Sequence, residues 1–133
     1  MIVFPFVSLY SENLGIVNRP IANVLLIGPL RKVVTEMLID SGADVSLISY
    51  KQGLRLGFKI EKGEDILRLG GISGGIPVIY RDLEMQIGEV LFKAKIAWSL
   101  NEDIPEILGR ANVFDVFDIE LKQAEKVTIF RKR

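Results

Sequence analysis

The sequence predicts an all-β domain, and three observations lead to that prediction. Most apolar residues recur with a period of two, which is the period of side chains along a β-strand. Glycine, proline and asparagine separate the alternating runs at short intervals, as residues of turns do. Helix signals are confined to residues 49–56 and 111–117. Neither stretch is long enough to anchor a helical fold.

Two strand pairs are the clearest elements. Residues 82–87 alternate strictly, a Gly-Glu turn follows, and the alternating apolar positions of residues 90–98 lie on one face and end at Trp98. This pattern predicts a long hairpin with one solvated face and with Trp98 in the core. Upstream, apolar runs at residues 22–27 and 31–40 flank a Gly-Pro turn. The second of these runs ends at an acidic residue.

The two ends of the chain also carry strand patterns. Residues 1–7 are apolar but lack the basic start and small-residue cleavage site of a signal peptide, so they are interpreted as a strand. Residues 126–130 predict a last strand, and the basic residues 131–133 that follow are expected to be solvated. Residues 1–133 are therefore expected to form one domain, with residues 1–19 as a possible extension.

Composition excludes several kinds of chemistry. Basic and acidic residues each number 17, so there is no excess of positive charge for a nucleic acid or an anionic membrane. The 133 residues include no cysteine and no histidine, which excludes cysteine nucleophiles, the Ser-His-Asp triad and zinc sites built on those ligands. Acid-base chemistry is left to carboxylates, and we expect no metal and no cofactor. A cytoplasmic location is the default expectation.

An acid stands where the predicted strand of residues 31–40 ends. Asp40 is followed directly by Ser41, Gly42, Ala43 and Asp44. A carboxylate among buried strands needs hydrogen bonds or a partner that shares its proton, because an isolated buried charge loses its hydration. Taken alone, Asp-Ser-Gly is only a turn tripeptide. The rest of the sequence decides between a turn and a site.

Two further segments follow in order, a glycine-rich stretch at residues 69–76 and the sequence Ile-Leu-Gly-Arg-Ala-Asn at residues 107–112. With these three segments, the sequence resembles the retropepsin-like aspartic proteases over about residues 19–121. The resemblance implies a closed or partly open acid-protease barrel with one short C-terminal helix. It also implies an aspartic endopeptidase.

By this resemblance Asp40 is the catalytic carboxylate. Ser41 and Gly42 would brace the same loop of a second subunit, and Ala43 completes the motif. The family's hydrophobic-Gly-Arg segment corresponds to residues 107–110, so Arg110 is expected to pair with Asp44. Such a charge-assisted, bidentate pair would fasten the catalytic loop to the start of the helix.

The glycine-rich stretch is similar to the flap that closes over substrate in this family, and the main-chain N–H of one flap residue would contact substrate through a water. A phosphate cradle is the competing interpretation, but no lysine and no helix follow it. The last glycine stands where viral flaps usually have a bulkier residue, which predicts a looser or differently packed flap. The flap residues are Gly70, Gly71, Ile72, which would supply that N–H, Ser73, Gly74 and Gly75.

Aspartic proteolysis needs two carboxylates that share a proton, and the sequence has one such motif in about half the length of a two-lobed enzyme. Asp118 lacks a following glycine and is interpreted as a surface acid. We therefore expect a C2 homodimer with two copies of Asp40, acting on an extended peptide or protein. Two alternatives remain: a non-catalytic peptide-binding or scaffold module that retains the fold, and a carrier of a small apolar ligand.

Overall fold

The chain folds mainly into β-strands, as the period-two pattern predicts. The computed structural model describes residues 1–70 and 74–133. In chain order the strands are β1 (Ile2–Pro5), β2 (Val7–Ser11), β3 (Gly15–Arg19), β4 (Ile21–Ile27), β5 (Lys32–Ile39), β6 (Ser46–Ile48), β7 (Leu67–Leu69), β8 (Ile76–Ile87), β9 (Val90–Ser99), β10 (Ile107–Leu108), β11 (Phe117–Lys122) and β12 (Val127–Lys132). The helices of the described residues are α1 (Tyr50–Leu56) and α2 (Val113–Val116).

Six strands of the described chain close a barrel. Their order is β4, β5, β10, β6, β9 and β8, and the last 3 residues of β4 pair back with β8 at residues 84–86. β7 adds to the outer side of β8. β10 is 2 residues long, and it pairs in parallel with β5 and in antiparallel with β6. The predicted all-β barrel fold is confirmed.

The interior of the barrel follows from the alternation of its strands. In β5 every second residue from Val33 to Ile39 is buried, which places apolar side chains inside and leaves the others in solvent. Trp98 of β9 is completely buried and its indole Nε1–H donates to the carbonyl of Tyr50 at 3.1 Å. The predicted core position of Trp98 is confirmed. The ring of Tyr50 stacks on the indole with a centroid distance of 5.6 Å.

Helix α2 forms within the predicted stretch, and α1 forms as well. α1 begins after Ser49, whose hydroxyl accepts a hydrogen bond from the N–H of Gln52, and ends at Gly57 in the left-handed conformation. The short C-terminal helix that the family resemblance implies therefore has a companion after β6. Gly53 brings α1 against the core, since a Cβ there would lie 2.0 Å from the indole nitrogen of Trp98.

The chain termini form a separate sheet in the order β1, β12, β11. Ile2 and Phe4 of β1 pack against the main core, so the start of the chain is part of this sheet. β2 and β3 form a two-stranded hairpin beyond it. Asp118 is exposed and pairs with Arg133 at 2.8 Å, which fits its interpretation as a surface acid. In the described residues we find no helix with the length and apolar character needed to cross a bilayer.

Candidate active site

Asp40 lies one residue beyond the end of β5 and is half-buried. Its Oδ1 accepts a hydrogen bond from the Gly42 N–H at 2.9 Å, and its carbonyl accepts one from the Ala43 N–H at 3.2 Å. Its own N–H donates to the carbonyl of Leu108 at 3.0 Å. The backbone of the turn thus fixes one carboxylate oxygen. Within residues 1–70 and 74–133, no group donates a hydrogen bond to Oδ2.

The loop after Asp40 is fastened to the segment after β10 by main-chain hydrogen bonds. The Arg110 N–H donates to the carbonyl of Ala43, and the Ala111 N–H donates to the carbonyl of Asp44, both at 2.9 Å. β10 itself pairs in parallel with the last residues of β5. Main-chain hydrogen bonds therefore join residues 40–44 to residues 108–111, and these bonds involve no charged side chain.

Gly109 is the closest contact between these two segments. A Cβ at residue 109 would lie 2.4 Å from the carbonyl oxygen of Val45 and 2.9 Å from that of Ala43. The Gly109 N–H donates to the buried hydroxyl of Ser46 at 2.9 Å. Only glycine allows this approach, because any side chain would meet backbone atoms that cannot move independently. The glycine of the hydrophobic-Gly-Arg segment therefore has a steric role beside the site.

A second group of hydrogen bonds centres on Glu106, which sequence reasoning missed. Its Oε1 accepts from the Thr35 hydroxyl at 2.5 Å and from the Gln52 amide at 3.1 Å, and its Oε2 accepts from the Ser49 N–H at 3.1 Å. Its carbonyl accepts from the Leu38 N–H at 2.9 Å. Glu106 therefore joins β5, α1 and the segment before β10. Nothing in the local sequence separates this acid from a solvated one.

An apolar wall extends from the Asp40 segment to the glycine-rich loop. Leu69 and Ile76 are the last cross-strand pair before that loop, and Ile107 directly precedes the residue that binds the Asp40 N–H. The wall comprises the buried Val45, Leu47, Val78 and Ala97 and the partly buried Leu69, Ile76, Tyr80, Ile104, Ile107 and Ala111. It is a second cluster outside the main core, and its partly buried members keep some apolar area exposed.

The glycine-rich segment lies between β7 and β8 in the sequence, and its described residues are Gly70, Gly74 and Gly75. Gly70 and Gly74 have positive φ values of 86° and 85° and open space around them. Gly75 also has a positive φ, of 72°, and a Cβ there would lie 2.6 Å from the carbonyl oxygen of Gly70. The two ends of the loop, Gly70 and Gly75, are therefore close together. Gly71, Ile72 and Ser73 lie outside the described residues.

Residues 57–66, which connect α1 to β7, are attached to the barrel by charged groups. The Arg81 guanidinium on β8 forms a two-pronged pair with Glu64, with Nη2 at 2.8 Å from Oε1. Nη2 also donates to the carbonyl of Lys59 at 2.7 Å. This pairing, with the Glu61 N–H that donates to Oε1, lowers the pKa of Glu64 from 4.5 to about 2.

Comparison with known proteins gives matches among solved structures. No family model and no curated protein matches the chain. The EIAV protease in complex with the inhibitor HBY-793 is 26% identical, with a TM-score of 0.55 over 75% of this chain and 88% of that one. A retropepsin-like aspartic protease from Rickettsia conorii is 16% identical, with a TM-score of 0.66 over 96% of this chain and 90% of that one.

The chain has a retropepsin-like fold. Its fold class was predicted correctly, and Leu69 and Ile76, at the two ends of the glycine-rich segment, cluster with Val45 and Ile107. Asp40, Ser41 and Gly42 lie in the turn after β5, and the segment of Arg110 lies beside them. Ser41 and Gly42 are exposed.

One predicted contact between these segments does not form. Among the described residues, the side chains of Arg110 and Asp44 make no ion pair, and both are exposed. The Arg110 guanidinium instead lies 5.4 Å from the centre of the Phe114 ring, one turn further along. The main-chain hydrogen bonds described above already join the two segments, so the fastening that was expected from charge comes from the backbone.

Proposed function

We propose that this protein is an aspartic endopeptidase whose active site contains Asp40 from each of two chains. The observation that carries the proposal is the setting of Asp40. It is a half-buried acid in a glycine turn, with one oxygen bound by the Gly42 N–H, beside an apolar wall in a retropepsin-like barrel. A surface acid needs no such setting, whereas a carboxylate that shares a proton does.

The chemistry requires a pair of carboxylates. One carboxylate accepts a proton from a water as the water oxygen adds to the peptide carbonyl, and the protonated carboxyl donates its proton to the carbonyl oxygen. Collapse of the tetrahedral intermediate then breaks the C–N bond and returns a proton to the leaving amine. A two-fold axis between two copies of Asp40 supplies both groups with one kind of residue.

Within this proposal Ser41, Gly42, Ala43, Asp44 and Arg110 support the active-site loop. The supporting observation is the set of main-chain hydrogen bonds between residues 40–44 and residues 108–111. In residues 1–70 and 74–133 no ion pair involves Asp40, so no paired cation opposes one proton shared by two such carboxyl groups. The loop is thus suited to a dyad that works at acidic to mildly acidic pH.

The proposed substrate is an extended peptide. Its backbone would form strand-like hydrogen bonds below the flap, Gly70 to Gly75, and its alternate side chains would contact the apolar wall. The partly buried Leu69, Ile76, Ile104 and Ile107 support a preference for apolar side chains near the cleaved bond. Peptides with charged residues at those positions would leave their charges poorly solvated.

Digestion of a peptide library by the wild type and by Asp40→Asn tests the proposal. We expect the wild type to release fragments at acidic to mildly acidic pH and Asp40→Asn to release none, because an amide cannot share or transfer the proton. Sedimentation of both proteins at the same concentration checks that the variant keeps the dimer. Equal cleavage by both proteins would refute the role of Asp40. If the wild type binds peptides without cleaving them at any pH, the chain is a peptide-binding module instead.

A further inference from the structure

The hairpin of β2 and β3 stands apart from both the barrel and the terminal sheet. Its strands pair with each other over 5 residues and with no other strand of the described chain. None of its side chains belongs to either hydrophobic core of the described residues. A two-stranded hairpin alone is at best marginally stable in water, so this one needs something to cover it.

One face of the hairpin is apolar and uncovered. Tyr10 lies directly opposite Ile16, and their side chains are 77% and 75% exposed. The next pair on this face is Ser8 and Asn18, joined by a 2.6 Å hydrogen bond from the serine hydroxyl to the amide oxygen. Leu14, in the turn, is 78% exposed. We call the surface of these five residues the outer face.

The hairpin projects from the end of the barrel where Asp40 lies. β4 runs antiparallel to β5, so the chain enters the barrel beside the last residues of β5. The carbonyl of Pro20, one residue after the hairpin, accepts a hydrogen bond from the Ile39 N–H at 3.0 Å. The start of β2 is fixed as well, because the N–H of the preceding Phe6 donates to the carbonyl of Lys126 at 2.8 Å. The base of the hairpin is therefore one residue from the candidate catalytic acid.

We propose that the outer face is a dimer arm that binds a second copy of this chain. The inference rests on the proposed function, because a two-fold axis between two copies of Asp40 must pass close to the base of both hairpins. It goes further by naming the surface that forms the interface. Residues that belong to a dimer interface need not be covered within one chain, which explains why large apolar side chains are exposed here.

The available area fits a dimer. Tyr10, Leu14 and Ile16 together expose on the order of 500 Å² per chain, given that large side chains present roughly 150–250 Å² each when fully exposed. Two copies thus offer about the 1,000 Å² that a specific interface requires. The polar pair Ser8 and Asn18 lies at the rim of the patch, as polar residues do in such interfaces.

Charge argues against a membrane as the occupant. Glu12 is the charged residue of the hairpin turn, and Arg19 lies at the opposite end of β3. A loop that binds anionic headgroups would carry lysine or arginine beside its apolar tip. A second copy of the chain has no such requirement.

Sedimentation velocity over a range of protein concentrations tests the dimer arm. Ile16→Thr keeps a β-branched residue in the strand but removes apolar area, and we expect it to raise the dimer Kd at least tenfold. Val34→Thr is the matched control. Val34 is 66% exposed on β5, six residues before Asp40 and thus roughly 20 Å away along the strand. We expect it to leave the Kd unchanged.

A probe at the hairpin turn gives a second readout that does not depend on the Ile16 variant folding normally. The chain has no cysteine, so Leu14→Cys accepts a single polarity-sensitive dye. We expect its emission to shift to shorter wavelength over the same concentration range in which the dimer forms. Dye at Val34→Cys should not respond. Zwitterionic and anionic lipid vesicles, added to the monomer, provide the membrane comparison.

The outcomes separate this inference from the proposed function. A wild-type protein that remains monomeric at every concentration would overturn both. A wild-type dimer with an unchanged Kd in Ile16→Thr and no dye response would overturn the dimer arm and leave the protease proposal standing. A dye response to vesicles but not to protein concentration would make the outer face a membrane contact. A matched shift in Kd and in emission would support the dimer arm.

Discussion

The loop of Asp40 and residues 57–66 are held to the barrel in opposite ways. Around Asp40 the fastening consists of main-chain hydrogen bonds and the close contact at Gly109. Residues 57–66 are held by a guanidinium and a carboxylate, those of Arg81 and Glu64. Main-chain hydrogen bonds do not titrate between pH 2 and 10, whereas an ion pair does. The candidate site can thus keep its geometry in acid while the segment that leads to the glycine-rich loop loosens.

Gly109→Ala is the strongest test of the uncharged fastening. The new methyl group would lie 2.4 Å from a backbone oxygen, so we expect the free energy of unfolding to fall by about 3 kcal/mol and peptide cleavage to be lost. Urea denaturation at one fixed protein concentration measures the change, since stability and dimerisation are linked.

Gly63→Ala is the control for this experiment. Gly63 has a positive φ of 78° but nothing within 4 Å of an added Cβ, so alanine there costs only the backbone strain, about 1–2 kcal/mol. If both variants lose the same stability, or Gly109→Ala loses less, the close contact beside Asp40 does not matter as the structure implies.

Glu64→Gln tests the charged fastening through its pH dependence. The pKa of Glu64 falls from 4.5 to about 2 in the folded protein, so its contribution to stability is complete above about pH 4.5. That contribution is lost as the pH falls towards 2. We therefore expect Glu64→Gln to lower Tm at pH 6 by less than Gly109→Ala does, and the difference from wild type to vanish near pH 2.

Thermal melts at pH 6, 4 and 2.5 measure this effect, with Glu120→Gln as the matched control. Glu120 pairs with Arg131 at 2.7 Å, but both side chains are about half exposed, so its loss should change Tm less. A difference between wild type and Glu64→Gln that grows in acid would contradict the prediction, because it would mean that the ion pair does not carry the stability.

The smallest effect is expected for Arg110→Ala. This change leaves the Arg110 N–H in place and removes the contact of the guanidinium with the Phe114 ring, which is worth about 0.5–1 kcal/mol at an exposed position. A double-mutant cycle with Asp44→Ala should give a coupling free energy close to zero. A coupling above about 1 kcal/mol would show that the Arg110–Asp44 pair forms in solution, and the uncharged description of the site would be wrong.

The sequence predicted the elements whose burial follows a simple period. The first six residues of β9 and the second half of β8 alternate because one face is solvated, so their hairpin was found, although residues 96–99 are buried on both faces. The first half of β8 was missed because Val78 and Ile79 are both buried, which removes the alternation. The hairpin of β2 and β3 was missed for the opposite reason, since its apolar residues face outward and a pattern of burial cannot reveal them.

The candidate site was predicted in part. The resemblance singled out Asp40, the glycine-rich segment and the segment of Arg110, because each is a short motif in the linear sequence. The resemblance predicted a side-chain ion pair between Arg110 and Asp44, whereas main-chain hydrogen bonds join the two segments. Whether Arg110 is joined to the Asp40 loop through its side chain or through its N–H depends on a shift of a few ångströms, which residue types do not encode. Glu106 was missed because its donors, such as Thr35, come from distant parts of the chain.

β10 is the shortest strand of the barrel. Every other strand of the ring has at least 3 residues, whereas β10 contributes only Ile107 and Leu108 between β5 and β6 in the described chain. A strand of two residues contributes few ladder hydrogen bonds of its own, and segments with few such bonds open at a lower free energy. We therefore expect the amides of residues 107–108 to exchange with solvent sooner than those of the β8–β9 hairpin. Because the Asp40 N–H donates a hydrogen bond to the carbonyl of Leu108, opening of β10 would release the backbone of Asp40 while the β8–β9 hairpin stays folded.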